Sequence, residues 1–127
     1  PLDKAALIGC SIITGFGAIV NTAKVKAGET VAILGCGGIG MAAVNSAFVA
    51  GAERIIAIDT NPQKLNLAKN LGATHLVNPN DGDVVEQVKE ITGGGVQKSI
   101  EIAVELSCSI GSVEKTPCFR NLQKGNR

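Results

Sequence analysis

The run Thr30-Val31-Ala32-Ile33-Leu34-Gly35-Cys36-Gly37-Gly38-Ile39-Gly40, with an acid further on at Asp59, constrains this chain more than any other part of it. After its first residue the run is unbroken apolar until it meets Gly-x-Gly-x-x-Gly. A helix-length apolar segment follows, then a second apolar run that Asp59 closes, nineteen residues beyond Gly40. A lone glycine motif says little. Set in a strand–turn–helix–strand–acid frame it is the fingerprint of a dinucleotide site. Gly35 allows a tight turn at the strand end. Gly37, without a side chain, lets a pyrophosphate approach the backbone. Gly40 lets the new helix lie close to the strand. The helix opens at Gly38 with free N–H groups and the positive end of its dipole, and the Cys36 N–H on the turn can face phosphate. Asp59 at the tip of the second strand, with Thr60 beside it, is placed to accept hydrogen bonds from adenosine ribose hydroxyls. Such a charge-assisted bond is worth roughly 1.5–3 kcal/mol. A carboxylate there repels a 2′-phosphate, which selects NAD over NADP.

The flanking sequence supplies the rest of an α/β fold. Asp3–Ile8 reads as a short helix broken by Gly9-Cys10, and Thr14–Lys24 as a second helix. Thr30–Leu34 is strand one, Gly38–Ala50 a helix apolar almost all round and therefore expected to be buried, and Arg54–Asp59 strand two. Asn61-Pro62 opens a helix that Gly72 ends, since proline suits the first helical position. Thr74–Val77 reads as strand three. Asp83–Ile91 reads as a helix with Val84, Val85, Val88 and Ile91 on one face, and Ser99–Val104 as strand four. A further helix over Thr116–Lys124 is expected. Alternating strands and helices predict a doubly wound parallel sheet of the Rossmann type, cut off after about four strands.

Composition narrows the function classes. The chain has 127 residues, 45% of them hydrophobic, and a net charge of +1, which gives no electrostatic footprint for nucleic acid. With three Phe and no Trp or Tyr, the core must be built from Ile, Val, Leu and Ala, as suits a parallel sheet buried on both faces. No apolar run is read as reaching the roughly 18 residues of a membrane span, and no signal peptide is expected, since the apolar Ala5–Val20 region is cut by Gly9, Gly15 and Gly17 and lacks a basic leader. Cys10, Cys36, Cys108 and Cys118 form no Cys-x-x-Cys pair, so a zinc knuckle is not expected, and reduced thiols in the cytoplasm are. The lone histidine, His75, reads as a strand-end residue. The start at Pro1 and the helix-like ending at Gln123–Arg127 predict an excerpt of a longer protein, with residues 1–127 forming part of a single domain.

Gly9-Cys10, Thr14-Gly15-Phe16-Gly17-Ala18, Val20-Asn21-Thr22-Ala23-Lys24, the glycine turn, and Asp59 with Asn61 and Lys64 together resemble the coenzyme domain of medium-chain zinc-dependent alcohol dehydrogenases. Asn21–Lys24 is most similar to the glutathione-dependent formaldehyde dehydrogenase branch. The resemblance covers about residues 1–105. It implies hydride transfer between an alcohol or aldehyde substrate and NAD, with a catalytic zinc as Lewis acid, in a homo-oligomer. It further implies that Cys10 is one of three protein ligands to that zinc. Thr14 would lie near the nicotinamide, with a helix N-cap as its alternative role. Ile39 would pack on the nicotinamide, or else in plain helix core, and Lys64 would lie near the adenosine ribose. The family's other two zinc ligands, its proton relay and its four-cysteine zinc lobe have no counterpart in this sequence, so the chain alone is expected to be inactive. Residues 105–127 depart from the family pattern, with Pro117 inside what matches a helix. Two other readings remain at this stage. One is a zinc-free reductase of the same fold, against which Cys10 argues. The other is an S-adenosylmethionine- or nucleotide-binding module, against which Gly40 argues.

Overall fold

The computed structural model of the chain describes residues 1–102. Four parallel strands form one sheet: β1 (Thr30–Leu34), β2 (Arg54–Ile58), β3 (His75–Val77) and β4 (Lys98–Glu101), in the order β3-β2-β1-β4. β1 is central, with Leu34 aligned to Ile58 on one side and to Glu101 on the other. The chain therefore winds outward through β2 and β3, then returns past β1 to add β4. That reversal is the topological switch point of a doubly wound sheet, and ligands of such sheets bind at the carboxyl ends of the strands there.

Side chains alternate across the sheet, and the two sets make two cores. Val31, Ile33, Ile55 and Ala57 pack with Ile19, Ala43, Val44, Ala47, Leu65 and Ala68 on one face. Ala32, Leu34, Ile56 and Ile58 pack with Val77, Val84, Val88 and Val96 on the other. Burying each branched side chain contributes about 1.5–3 kcal/mol. The expected Val84, Val85, Val88 and Ile91 face is the face that meets the second core.

Helices α1 (Leu2–Thr22), α2 (Gly38–Val49), α3 (Pro62–Asn70) and α4 (Val84–Thr92) connect and cover the strands. α3 starts as its sequence predicts: Asn61 accepts from the Gln63 and Lys64 amides, with Pro62 at the first turn. Asp83 caps α4 in the same way. Strand boundaries are shorter than expected: β2 stops at Ile58, β3 starts at His75, and β4 spans Lys98–Glu101. A short 3-10 turn at Pro79–Asp81 was not anticipated. Val104 and the expected Thr116–Lys124 helix lie outside the described residues.

The largest departure is α1. Gly9-Cys10 does not break it; the helix runs from Leu2 to Thr22 through wider π-turns at Ile8–Ile12 and Ala18–Thr22. Interior glycine costs a helix only about 1 kcal/mol relative to alanine, and Gly15 returns a packing gain. A Cβ there would sit 2.6 Å from the Ile39 carbonyl and 2.7 Å from the Ala42 Cβ, so only glycine lets α1 cross α2 this closely. The helix ends at Thr22, and two residues on the chain turns away at Lys24, whose φ is 51°. This overturns the expectation that no segment is long and apolar enough to span a membrane. The Leu2–Thr22 helix is 21 residues long, with a mean hydropathy of 1.7 over a stretch that is only 11% buried. Its buried residues, Gly15 and Ile19, face the domain, while Leu7, Ile8, Ile13 and Phe16 are exposed. α2 is likewise not buried along its whole length. Its C-terminal Phe48 and Val49 are 61% and 73% exposed.

Candidate functional site

The crevice at the switch point is built by the turn after β1. Gly35 has φ 101°, a backbone conformation open to glycine and strained for other residues. Its N–H still continues the ladder, donating to the Ile58 carbonyl at 2.8 Å. α2 then rises so close beneath the turn that a Cβ on Gly40 would overlap the Gly35 carbonyl oxygen. Gly37 is the opposite case. It is the N-cap of α2, exposed, and a Cβ there would meet nothing within 4 Å. The α2 N-terminus thus presents its unpaired amides beside open space, the arrangement that suits an anion.

Asp59 stands directly after β2 and is only 7% exposed. Its Oδ2 accepts from the Cys36 N–H at 2.8 Å, and its Oδ1 accepts from the Asn61 N–H at 2.8 Å. The Asp59 N–H donates to the Val77 carbonyl at 3.2 Å. The carboxylate is therefore held from the turn after β1 and from its own loop, while the Asp59 backbone is tied to β3. An ionised carboxylate offers about four acceptor positions, so each oxygen keeps capacity for one more donor.

These contacts correct one expectation. The Cys36 amide, expected to face phosphate, is engaged by Asp59 instead. The Cys36 side chain is 1% exposed. Burial, and next the Asp59 charge, push its thiol up to about 12, while the Lys64 charge pulls in the other direction. Lys64 itself is exposed in the first turn of α3.

The remaining predicted residues divide. Thr60 is exposed next to Asp59, and its carbonyl accepts from Asn78 Nδ2 at 3.2 Å. Ile39 is half-buried in the first turn of α2, and Gly38 is exposed beside Ser11. Thr14 is exposed inside α1, so its alternative as a helix N-cap is excluded by the continuity of the helix. Cys10 is an exposed free thiol on the first π-turn of α1. Among the described residues no group of three His, Cys, Asp or Glu side chains is placed to hold a metal ion. The described residues therefore do not by themselves make a zinc site. His75 is half-buried at the start of β3, its Nδ1 2.9 Å from the Thr74 hydroxyl. Sequence reasoning missed the parts played by the Asn61 amide and by Asn78. The signal was present in a repeated Asn-Pro dipeptide, Asn61-Pro62 and Asn78-Pro79, each at a helix start.

A 3-2-1-4 parallel sheet with a glycine turn and an acid at its switch point defines an α/β domain of Rossmann type. The zinc-binding dehydrogenase family model matches residues 38–110, and the chain belongs to that family. It is 47% identical over 116 residues to alcohol dehydrogenase 2 of Zea mays, covering 90% of this chain and 31% of that protein. It is 49% identical over 114 residues to S-(hydroxymethyl)glutathione dehydrogenase of Synechocystis sp., covering 88% and 29% respectively. Among solved structures, an alcohol dehydrogenase zinc-binding domain protein from Burkholderia ambifaria superposes with a TM-score of 0.78 at 45% identity, covering 87% of this chain and 30% of that one. Benzyl alcohol dehydrogenase from Acinetobacter calcoaceticus gives a TM-score of 0.78 at 41% identity, covering 84% and 30%. The chain thus spans about 30% of the length of these relatives.

Proposed function

We propose that the chain is the NAD-binding part of a zinc-dependent alcohol dehydrogenase, an enzyme that moves a hydride between an alcohol or aldehyde and NAD. The observation that carries this reading is Asp59, a nearly buried carboxylate with spare acceptor capacity beside a glycine turn open above Gly37. The turn and the α2 N-terminus would cradle the pyrophosphate, Asp59 and Thr60 would take the adenosine ribose with Lys64 nearby, and Ile39 and Thr14 would lie toward the nicotinamide. The donor chemistry of Cys10 suits zinc, for which a thiolate is a good ligand. Cys10 would supply one of three protein ligands, the others coming from outside the described residues. Bound zinc would polarise the substrate oxygen. The relatives' names favour alcohols, and the S-(hydroxymethyl)glutathione dehydrogenase likeness supports a hydroxymethyl adduct as an alternative substrate class. The free thiols of Cys10 and Cys36 support a reducing, cytoplasmic setting.

Calorimetric titration of the chain with NAD, NADP and S-adenosylmethionine tests the reading. NAD is expected to bind best. Preference for S-adenosylmethionine, or no response to any of the three, overturns it. Alcohol oxidation by these 127 residues alone is not expected, because among the described residues Cys10 supplies one of the three ligands a catalytic zinc needs and no group of three is placed to hold the ion.

A further inference from the structure

Asp59, Thr60 and Asn61 form the connection from β2 into α3, and Thr60 and Asn61 are exposed. For Asp59 to meet two ribose hydroxyls, that connection must be held still. One anchor comes from a part of the chain remote from the fingerprint. Asn78 follows β3 directly and is half-buried. Its Oδ1 accepts from the Asn80 N–H at 3.0 Å, and this fixes which way the amide points. Its Nδ2 then faces the Thr60 carbonyl, to which it donates at 3.2 Å. The Asn78 carbonyl accepts from the Asp81 N–H at 3.0 Å and from Gln87 Nε2 at 3.5 Å, tying the residue to the 3-10 turn and to α4.

We infer that Asn78 is a positioning residue for adenosine-ribose recognition: through the Thr60 carbonyl it locks the 59–61 connection and so aims the Asp59 carboxylate. The inference rests on the proposed NAD site. The chemistry of the side chain argues for more than capping. Asp, Ser, Thr or Asn can each cap a helical turn, but an acceptor for the cap together with a fixed NH2 donor for Thr60 requires the amide. The loops after β2 and β3 are neighbours at the carboxyl edge of the sheet, so this cross-brace spans the side of the crevice where the ribose would lie.

Asn78→Asp keeps the shape and the cap acceptor but turns an oxygen toward the Thr60 carbonyl. Asn78→Ser keeps a neutral cap acceptor too short to reach Thr60, and serves where the Asp variant loses its fold. Calorimetry of the 127-residue chain with NAD, AMP and nicotinamide mononucleotide is the test, with thermal unfolding run alongside. NAD and AMP are expected to bind about five- to tenfold more weakly to either folded variant, the worth of one hydrogen bond. Nicotinamide mononucleotide is expected to be unaffected. In an Asp59→Ala background, Asn78→Ser is expected to weaken AMP no further, an outcome that a merely structural role would not produce. Undiminished AMP binding in a folded variant, or the same loss with and without Asp59, overturns the inference while leaving the NAD site standing. Absence of NAD and AMP binding in the unmodified chain overturns both.

Discussion

The Cys36 amide and the Asp59 carboxylate meet at 2.8 Å, joining the glycine turn after β1 to the tip of β2. The residue proposed to read the ribose is therefore also a structural tie between the two central strands. Truncating it removes a charge-assisted bond and leaves a buried N–H without its partner, two losses with one cause.

Asp59→Ala is accordingly expected to lower folding stability by about 1–3 kcal/mol. Urea denaturation followed by circular dichroism measures this. Wild-type stability in the variant would mean that the Cys36 and Asn61 contacts contribute nothing net.

Gly37 and Gly40 are expected to behave oppositely. A methyl group on Gly40 drives into the Gly35 carbonyl, so Gly40→Ala should destabilise the fold by about 1–3 kcal/mol or more. A methyl group on Gly37 enters open space at φ −76°, so Gly37→Ala should leave stability within about 1 kcal/mol of wild type. Its NAD affinity should still fall, because the new methyl occupies the approach to the turn. Thermal unfolding paired with calorimetry separates the two effects. Equal destabilisation by both substitutions would contradict this account of the turn.

Cys36 should make stability fall in alkaline solution. Its thiol is raised in the fold from 9.0 to about 12, so below pH 9 it is neutral in both the folded and unfolded chain. As pH rises from 9 toward 12 the unfolded chain releases the proton and the folded one retains it, which favours unfolding. The fall should be smaller in Cys36→Ala, measured by denaturation across that range. In the folded chain at pH 8, iodoacetamide should label exposed Cys10 and spare Cys36, as peptide mass mapping would show.

α1 exposes Leu7, Ile8, Ile13 and Phe16. Exposed apolar side chains in such number favour association, so the isolated chain should self-associate with rising concentration, and Ile13→Lys should reduce this. A monomer at all concentrations by light scattering would contradict it.

What could be read from the sequence was local. The unbroken β1 run, the Asn61 and Asp83 caps and the glycine turn each involve residues within a few positions of one another. The ties that finish the site are not local. Cys36 and Asp59 are 23 residues apart, and Thr60 and Asn78 are 18 apart, so no periodicity marks them. The continuity of α1 was hidden because Gly9-Cys10 reads as a break between two helices. At Gly15 the missing side chain is what the crossing with α2 requires.

The most direct measurement is a calorimetric titration of NAD and NADP into the chain and into its Asp59→Ala variant. The account predicts that the wild-type chain prefers NAD. In the variant, NAD should bind at least about tenfold more weakly, the worth of a hydrogen bond to a charged group, and the preference over NADP should shrink. Tight NADP binding by the wild-type chain, with no response to the loss of Asp59, would contradict it.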